Sequence, residues 1–389
     1  MLRESTPKRV KVLSIDGGGV RGVIAASIVL AIETELQRRL CDNNARLAQY
    51  LDVLAGTSTG SILTALYLIP PNDMPSVQTL LANPSAQFKY SAHDALGVYL
   101  EQAPKIFGTS YMNKIWTLGG WDGPIYSPKP LEDMLQQYAG NLMLSELPKT
   151  YMAMAYDIDV GEPYVFMGGA DAKGDRYFLR DAMRASSAAP TYFPPACITP
   201  LDKSPNEAKH FPPACITPLS KSHEAKHSAL VANNPNNAKH SVLVANNPNN
   251  AKHFVDGGLV ANNPSVCTLS KIRSMYDETE IVMISISCGR LRDICPYEKA
   301  KNWGTLGWIN PIIAIAMDSN SRLADLESAE QLRVSGNYYR FDTPLITASP
   351  NLDDCSPKNI AALQADAAAY LVLPEVKKMV ADAVTQILL

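Results

Sequence analysis

The sequence predicts an α/β protein with a mostly parallel sheet and crossover helices. Two glycine-rich turns near the N-terminus support this prediction, because each lies between a strand-like apolar run and a helix-like run. Two successive strand–turn–helix units place their strands side by side in parallel. At 389 residues, with 46% hydrophobic and 19% charged residues, the chain can also bury a substantial core.

The first two units are predicted from residue type and spacing. Val10–Ile15 is a short run of β-branched and apolar residues, which favours a buried strand. In Val23–Leu40 apolar residues recur at helical intervals, and basic residues near the end suit the negative end of the helix dipole. Tyr50–Ala55 and Ser61–Leu68 repeat the pattern as a second strand and a second helix.

The later elements are predicted by the same criteria. Further strands are expected at residues 151–157, 163–167 and 281–287. A short helix is expected at 181–189, because Pro190 cannot extend it. Residues 361–389 have the pattern of closing helices. The alternation of strands and helices therefore continues through most of the chain.

An aromatic stretch lies within residues 70–149. Its members are Phe107, Tyr111, Trp116, Trp121 and Tyr126. Two interpretations remain open from the sequence. The rings belong to the core and its loops, or they form a flexible, lipid-facing cover over a site.

The segment 193–264 contains internal repeats. FPPACITPL at 193–201 recurs unchanged at 211–219, and SALVANNPNNAKH at 228–240 recurs at 241–253 with one change. These periods of 18 and 13 residues are too short and too irregular for the usual solenoids. Asn-Pro pairs favour loops. We interpret the segment as a duplicated surface insertion.

The second glycine-rich turn, Gly56-Thr57-Ser58-Thr59-Gly60, is a complete G-x-S-x-G sequence. In a nucleophile elbow, a serine occupies a sharp strand-to-helix turn, and glycines two positions away leave room for the bend and for substrate. A purely structural turn is the alternative for so short a motif. The predicted strand before it and helix after it favour Ser58 as a nucleophile.

The first glycine-rich turn spans Gly17–Gly22. Its backbone N–H groups at a helix start are suited to holding a developing oxyanion. The same glycines match G-x-G-x-x-G, the phosphate-binding turn of dinucleotide folds. Such a fold ends its second strand with an acidic residue, whereas this chain has Ser58 in that region. We therefore favour an oxyanion hole and keep nucleotide binding as the alternative.

A serine nucleophile needs a base, and the histidines are poor candidates for it. Five of the six lie in the repeated segment, and His93 has no recognisable motif around it. A catalytic group needs one rigid position, which residues copied through a loop do not have. His253, three residues before an acid, remains the one histidine alternative.

Asp256 is the preferred base. Gly257 and Gly258 follow it and allow a tight turn that directs the carboxylate inward. Of the three Leu-Val-Ala-Asn-Asn-Pro copies, only the last is preceded by Asp-Gly-Gly, so the acid itself is single. Partial desolvation would raise its basicity. We predict a direct Ser58–Asp256 dyad.

Composition excludes several other classes of function. The formal net charge of −3 gives no support for a nucleic-acid partner. Seven cysteines without CxxC spacing indicate reduced thiols and neither a disulfide framework nor a zinc site. No metal-ligand spacing is present elsewhere, so we expect no metal and no other cofactor. Without a signal-peptide pattern or a membrane-length apolar run, the expectation is a cytoplasmic protein, with leaderless export as the alternative.

Four motifs taken together resemble those of the patatin-like phospholipases. They are Asp16–Gly22 (DGGGVRG), Gly56–Gly60 (GTSTG), Ser187–Phe193 (SAAPTYF) and Asp256–Gly258 (DGG). The resemblance implies a three-layer α/β/α fold with a mostly parallel central sheet, a nucleophile elbow after a strand and a helical C-terminal segment. It also implies calcium-independent hydrolysis of acyl esters in phospholipids, lysophospholipids or galactolipids, with transient contact to a membrane surface.

The same resemblance assigns roles to individual residues. Ser58 would be the nucleophile and Asp256 the base of a phospholipase A2 or lysophospholipase-type acyl hydrolase that forms an acyl-enzyme. The turn Gly17–Gly19, chiefly the N–H groups of its last two residues, would form the oxyanion hole, and Arg21 would position that loop. The remaining motif glycines are Gly22, Gly56, Gly60, Gly257 and Gly258. A catalytically inactive binding module would carry the same motifs.

The resemblance runs from about Val10 to Ser287. We therefore expect a catalytic domain at residues 10–290, with the repeated loop insertion at about 193–253. Residues 291–389 are expected to form a helical extension packed on the same domain. The chain departs from the family pattern in the loop between Phe193 and Asp256, which spans 63 positions and is longer than is usual for the family.

Overall fold

The computed structural model describes residues 9–71, 88–108, 123–169, 176–201, 250–276, 279–291 and 295–389. In this part of the chain the strands form one eight-stranded sheet. They are β1 (Arg9–Ile15), β2 (Val53–Thr57), β3 (Thr150–Asp157), β4 (Glu162–Gly168), β5 (Ala196–Ile198), β6 (Lys252–Asp256), β7 (Glu280–Ile286) and β8 (Tyr338–Phe341).

The strand order is β5–β6–β3–β2–β1–β7–β8, with β4 also paired to β3. The five strands from β3 to β8 along this order are parallel. The pairs that involve β4, β5 and β6 are antiparallel. In the centre, Ile15 of β1 is level with Gly56 of β2. The two glycine-rich turns follow these strands, so they lie side by side at the carboxyl ends of the central strands.

Helices connect and cover the strands. They are α1 (Gly22–Leu40), α2 (Thr59–Leu66), α3 (Ala92–Phe107), α4 (Lys129–Ala139), α5 (Leu179–Ser186), α6 (Gly258–Ala261), α7 (Ser265–Met275), α8 (Tyr297–Ala300), α9 (Thr305–Gln331), α10 (Pro357–Leu371) and α11 (Pro374–Leu388). Within the described ranges, none of them is long and apolar enough to cross a membrane.

The sheet has a hydrophobic core on each face. Alternate residues of a strand point to opposite faces, so Leu13 and Ile15 pack into the core that includes α1, α10 and α11. Val10 and Val12 pack into the other core, with Leu269 of α7. This arrangement confirms the predicted three-layer α/β/α fold with a mostly parallel central sheet.

The predicted strands and helices are present, with shifted ends. The second strand begins at Val53 and not at Tyr50, because Leu47–Tyr50 forms a 3-10 turn. Nine elements were not predicted: α3, α4, α6, α7, α8, α9, β5, β6 and β8. The last of these matters most, because β8 pairs with β7 and brings the C-terminal segment, which we expected to be helical, into the sheet.

Some expectations fall on residues outside the described ranges. The repeat copies between 202 and 249 and the residues Tyr111, Trp116 and Trp121 are among them. The first repeat copy, at 193–201, supplies β5, which pairs with β6. Phe107 and Tyr126 lie in the main core with their ring centroids 5.2 Å apart, as the core interpretation of the aromatic stretch expects.

The expectation of reduced thiols holds for part of the cysteines. Free thiols are present at Cys41, Cys197, Cys288, Cys295 and Cys355. Cys267 is disulfide-bonded, so the expectation is wrong for that residue. Cys215 lies outside the described ranges.

Deletion of residues 211–253 tests whether the repeats are an insertion. The deletion joins His210 to Phe254 and rebuilds β6, since Lys209 and His210 repeat the residues that precede Phe254. Loop closure changes by only about 0.6 kcal/mol per doubling of loop length, so shortening the loop is tolerated. We expect a Tm equal to or above that of the full chain, as measured by calorimetry. A Tm lower by several degrees would show that the copies stabilise the domain.

Candidate active site

Ser58 occupies the sharp turn between β2 and α2. Its backbone has φ 53° and ψ −122°, outside both the helix and the strand regions. Side chains cannot fit two residues away on either side. A Cβ on Gly56 would lie 2.2 Å from the carbonyl carbon of Gly60, and a Cβ on Gly60 would lie 2.2 Å from the carbonyl oxygen of Ile15. This is the geometry that a nucleophile elbow requires.

Hydrogen bonds from neighbouring elements hold this turn. The N–H of Ser58 donates to Oγ of Ser186 at 2.9 Å, and that hydroxyl donates to the carbonyl of Met154 at 2.6 Å. Oγ1 of Thr57 donates to the carbonyl of Ala261 at 2.6 Å. The elbow is therefore tied to α5, β3 and α6, and its serine is 9% exposed.

Asp256 lies at the end of β6 and faces this serine. It is 3% exposed, and the hydroxyl of Ser58 lies close enough to its carboxylate to lower the pKa of that group. The N–H of Gly258 donates to its Oδ1 at 2.7 Å, which is the turn that the Asp-Gly-Gly sequence predicted. The backbone N–H of Asp256 donates to the carbonyl of Ala188 at 3.0 Å. The structure thus brings together the two residues of the predicted dyad.

The environment of Asp256 makes its carboxylate a better base than an exposed one. Burial raises its pKa to about 6, while the hydrogen bonds from Gly258 and Ser58 act in the opposite direction. The usual value for aspartate is about 3.9. At neutral pH the carboxylate is still ionised, so it can accept a proton.

The turn Gly17–Gly19 lies beside the serine. A Cβ on Gly17 would lie 3.4 Å from Cβ of Ser58. The N–H of Gly17 donates to the carbonyl of Asn262 at 2.9 Å, but in the described part of the chain no carbonyl accepts from the N–H of Gly18 or Gly19. Gly19 has φ 57°, a conformation that glycine adopts readily. Two unpaired backbone donors therefore lie next to Ser58.

Arg21 and Thr59 each donate a hydrogen bond to a carbonyl of this turn. Arg21 is 6% exposed, and its Nε donates to the carbonyl of Gly18 at 3.3 Å. Oγ1 of Thr59 donates to the carbonyl of Gly19 at 2.9 Å, which joins the turn to the elbow. Because the carbonyl and the N–H of one peptide group point in opposite directions, the contact at the Gly18 carbonyl directs the N–H of Gly19 away from Arg21. A positioning role for Arg21, which the family resemblance implies, stays a prediction.

The serine and the acid open onto an apolar pocket. Its wall comes mainly from α3, α4, the segment 187–193 and one face of α9. Its apolar lining includes Val98, Ala103, Ile106, Phe107, Leu131, Met134, Phe193, Ile313 and Met317. A pocket of this composition favours hydrocarbon over a polar or charged group.

The two histidines within the described ranges, His93 and His253, are not part of this arrangement. His93 is exposed on α3. His253 lies on β6, where its Nδ1 is 3.0 Å from Oδ1 of Asp159, and it is absent from the lining of the pocket. The alternative of His253 as a catalytic group therefore finds no support in the geometry.

Sequence reasoning missed four residues that support the site. Ser186 and Asn262 contact the elbow and the glycine turn, as described above. Arg340 of β8 makes a two-point contact with Asp16, the residue before the turn, at 2.9 and 2.6 Å. The carbonyl of Leu352 accepts from the N–H of Val20 at 2.8 Å. The Asn-Asn-Pro unit was a signal for Asn262, whereas no local pattern marks Arg340 or Leu352.

Comparison with known proteins gives the same family as the motifs. The family model "Patatin-like phospholipase" matches residues 13–265, well over half of the chain. Patatin-like protein 2 of Oryza sativa subsp. indica is 29% identical, over 92% of this chain and 83% of its own length. Patatin-like protein 1 of Arabidopsis thaliana is 28% identical over 91% of this chain and 80% of its own.

A further relative carries a different description. "Probable inactive patatin-3-Kuras 1" of Solanum tuberosum is 25% identical, over 91% of this chain and 84% of its own length. The family assignment rests on the model match, which includes the elbow, the glycine turn and the acid. The chain is therefore a member of the patatin-like phospholipase family, a family of lipid acyl hydrolases.

Proposed function

We propose that this protein is a serine hydrolase that cleaves carboxylic esters of lipids, of the phospholipase A2 or lysophospholipase type. The observation that carries the proposal is the position of Ser58 beside the buried carboxylate of Asp256, both on the wall of one apolar pocket. Phospholipids, lysophospholipids and galactolipids all present such an ester next to a hydrocarbon chain. The acyl chain would occupy the pocket.

The reaction follows from these positions. Oγ of Ser58 attacks the ester carbonyl while its proton passes to Asp256, which acts as general base. The N–H groups of Gly18 and Gly19 donate to the oxygen that becomes negative, whereas the N–H of Gly17 is already used by Asn262. The protonated acid then delivers its proton to the leaving alkoxide. Water activated by the same carboxylate releases the acyl group from the serine.

We also propose that the outer face of α9 meets the lipid surface. The helix lines the pocket with Ile313 and Met317. Other positions of the same helix expose Ile312, Leu323 and Leu326, with exposed fractions of 58%, 65% and 69%. Contact of this face with a membrane would place the pocket next to its substrate.

Two other functions are less well supported. Nucleotide binding by the Gly17–Gly22 turn would place charged phosphates in an apolar pocket, beside the buried carboxylate of Asp256. An inactive binding module would keep the fold and bind lipid without turnover. A fluorophosphonate probe separates these alternatives, because it labels Ser58 only if the hydroxyl of that residue is activated as a nucleophile.

Substitution of the dyad tests the mechanism. Ser58→Ala should abolish hydrolysis of a p-nitrophenyl ester, and Asp256→Asn should lower kcat by several orders of magnitude because the base is lost. His253→Ala is the matched control, and we expect less than about a tenfold change. Thermal unfolding measures whether each variant is folded. More than about a tenth of wild-type activity in a dyad variant, or a collapse in the control, would contradict the assignment.

The pH dependence of hydrolysis reports the base. An aspartate with its pKa raised to about 6 binds a proton as the pH falls through 6, and the protonated form cannot accept one from Ser58. We expect kcat/KM to be level above about pH 7 and to fall about tenfold per pH unit well below 6. A stopped-time assay on a soluble ester from pH 4.5 to 8 measures this. Equal rates at pH 5 and pH 7 would argue against Asp256 as the base.

Chelation tests the expectation that no metal takes part. Among the described residues, no group of three or more His, Cys, Asp or Glu side chains could hold a metal ion. EDTA should therefore leave the hydrolysis of a soluble ester unchanged. The soluble substrate matters, because calcium also alters lipid surfaces. Loss of activity with EDTA and its recovery with calcium would contradict the metal-free mechanism.

A further inference from the structure

The turn Gly17–Gly19 needs contacts with other residues to keep one backbone conformation. The N–H groups of Gly18 and Gly19 must stay free if they are to receive the oxyanion, and glycine has the fewest restrictions on its backbone. Asn262, Arg21 and Thr59 hold the other backbone groups of the turn, and further contacts fix its ends, at Asp16 before it and Val20 after it. Both end contacts include a residue from beyond 290: Arg340 with Asp16, and the carbonyl of Leu352 with Val20.

The contact between Arg340 and Asp16 is buried and two-pronged. Nη1 lies 2.9 Å from Oδ1 and Nη2 lies 2.6 Å from Oδ2, which matches the planar guanidinium to the planar carboxylate. The side chains are 12% and 4% exposed. Nη1 also donates to Oγ of Ser285 at 2.8 Å, so the guanidinium is itself fixed to β7. The direction of the Asp16 carboxylate is thus set from two neighbouring strands.

The two charges depend on each other. Burial raises the pKa of Asp16 to about 6, and Arg340 opposes this effect. Burial would lower the pKa of Arg340, but Asp16 outweighs that effect and the pKa is raised. Both groups are ionised at neutral pH. Without the guanidinium, the carboxylate would be left buried and unpaired, one residue from the glycine turn.

We propose that Arg340 is a positioning residue for ester hydrolysis, which holds the Gly17–Gly19 turn in its oxyanion-binding geometry through Asp16. The proposal rests on the proposed function of Ser58 and Asp256. It assigns a role to the C-terminal segment, because Arg340 lies well beyond the residues that the family model matches. Arg340 does not touch the substrate pocket, so its effect would reach the reaction only through the turn.

The test compares binding of the transition state with binding of the ground state. We would measure kcat and KM for a p-nitrophenyl ester. We would also measure Ki for a trifluoromethyl ketone, which forms an oxyanion adduct with the serine, and for the corresponding alcohol, which does not. Arg340→Gln should lower kcat about 10²-fold, as a displaced oxyanion donor does, and raise the ketone Ki by a similar factor. KM and the alcohol Ki should change less than about threefold.

Two further variants keep the test decisive. Arg340→Lys retains the charge but not the two-pronged contact, and we expect an effect of about tenfold on kcat and on the ketone Ki. Arg290→Gln is the matched control: its side chain pairs with Asp342 at 3.6 Å and is 46% exposed, and it should leave all four constants within about twofold. Thermal unfolding identifies variants that are not folded at the assay temperature. If Arg340→Gln does not fold, Arg340→Lys decides.

The outcomes separate the two proposals. A folded Arg340 variant with wild-type kcat, or with a lowered Tm but an unchanged ketone Ki, would overturn the positioning role. Wild-type protein that neither hydrolyses esters nor is labelled at Ser58 would overturn the proposed function, and the positioning role with it. Parallel losses in kcat and ketone affinity, with an unchanged alcohol Ki, would support both.

Discussion

The site depends on one strained turn. Ser58 has a positive φ, which a residue with a side chain adopts at a cost of about 1–3 kcal/mol, and the surrounding structure must supply that free energy. It does so through close backbone packing at Gly56 and Gly60 and through the hydrogen bond from the Ser58 N–H to Ser186. The turn in turn fixes where the hydroxyl points. Asp256, the unpaired N–H groups of Gly18 and Gly19, and the apolar pocket all lie next to the Ser58 side chain.

Two aspartates, Asp16 and Asp256, are both desolvated by burial but have different partners. Burial raises the pKa of both Asp16 and Asp256 to about 6. Asp16 faces the guanidinium of Arg340, and both of its oxygens accept hydrogen bonds from it. Asp256 faces only hydrogen-bond donors, from Gly258 and Ser58, so its carboxylate stays available to a proton. Desolvation alone therefore does not make a base; the absence of a cation within the described surroundings of Asp256 separates the two cases.

The C-terminal segment takes part in the site as well as in the fold. Its strand β8 extends the sheet, its helix α9 forms one wall of the pocket, and its Leu352 carbonyl closes against the glycine turn. Buried polar groups such as the main-chain N–H of Val20 need a partner, and this segment provides it. The proposed catalytic groups thus come from the first two thirds of the chain, whereas part of their support comes from the last third.

The sequence by itself determined what depends on local backbone geometry. Alternating strand and helix patterns predicted the α/β fold, and the spacing of glycines predicted the elbow at Ser58, the N–H-rich turn at Gly17–Gly19 and the turn after Asp256. Such features are encoded within a few residues, because they restrict φ and ψ directly. Only the tertiary structure decided which other distant groups meet: the hydroxyl of Ser186 on the elbow, the carbonyl of Leu352 on the N–H of Val20, and the pairing of Asp16 with Arg340. These contacts are set by strand order and register, and no local pattern in a single sequence reports which strands become neighbours.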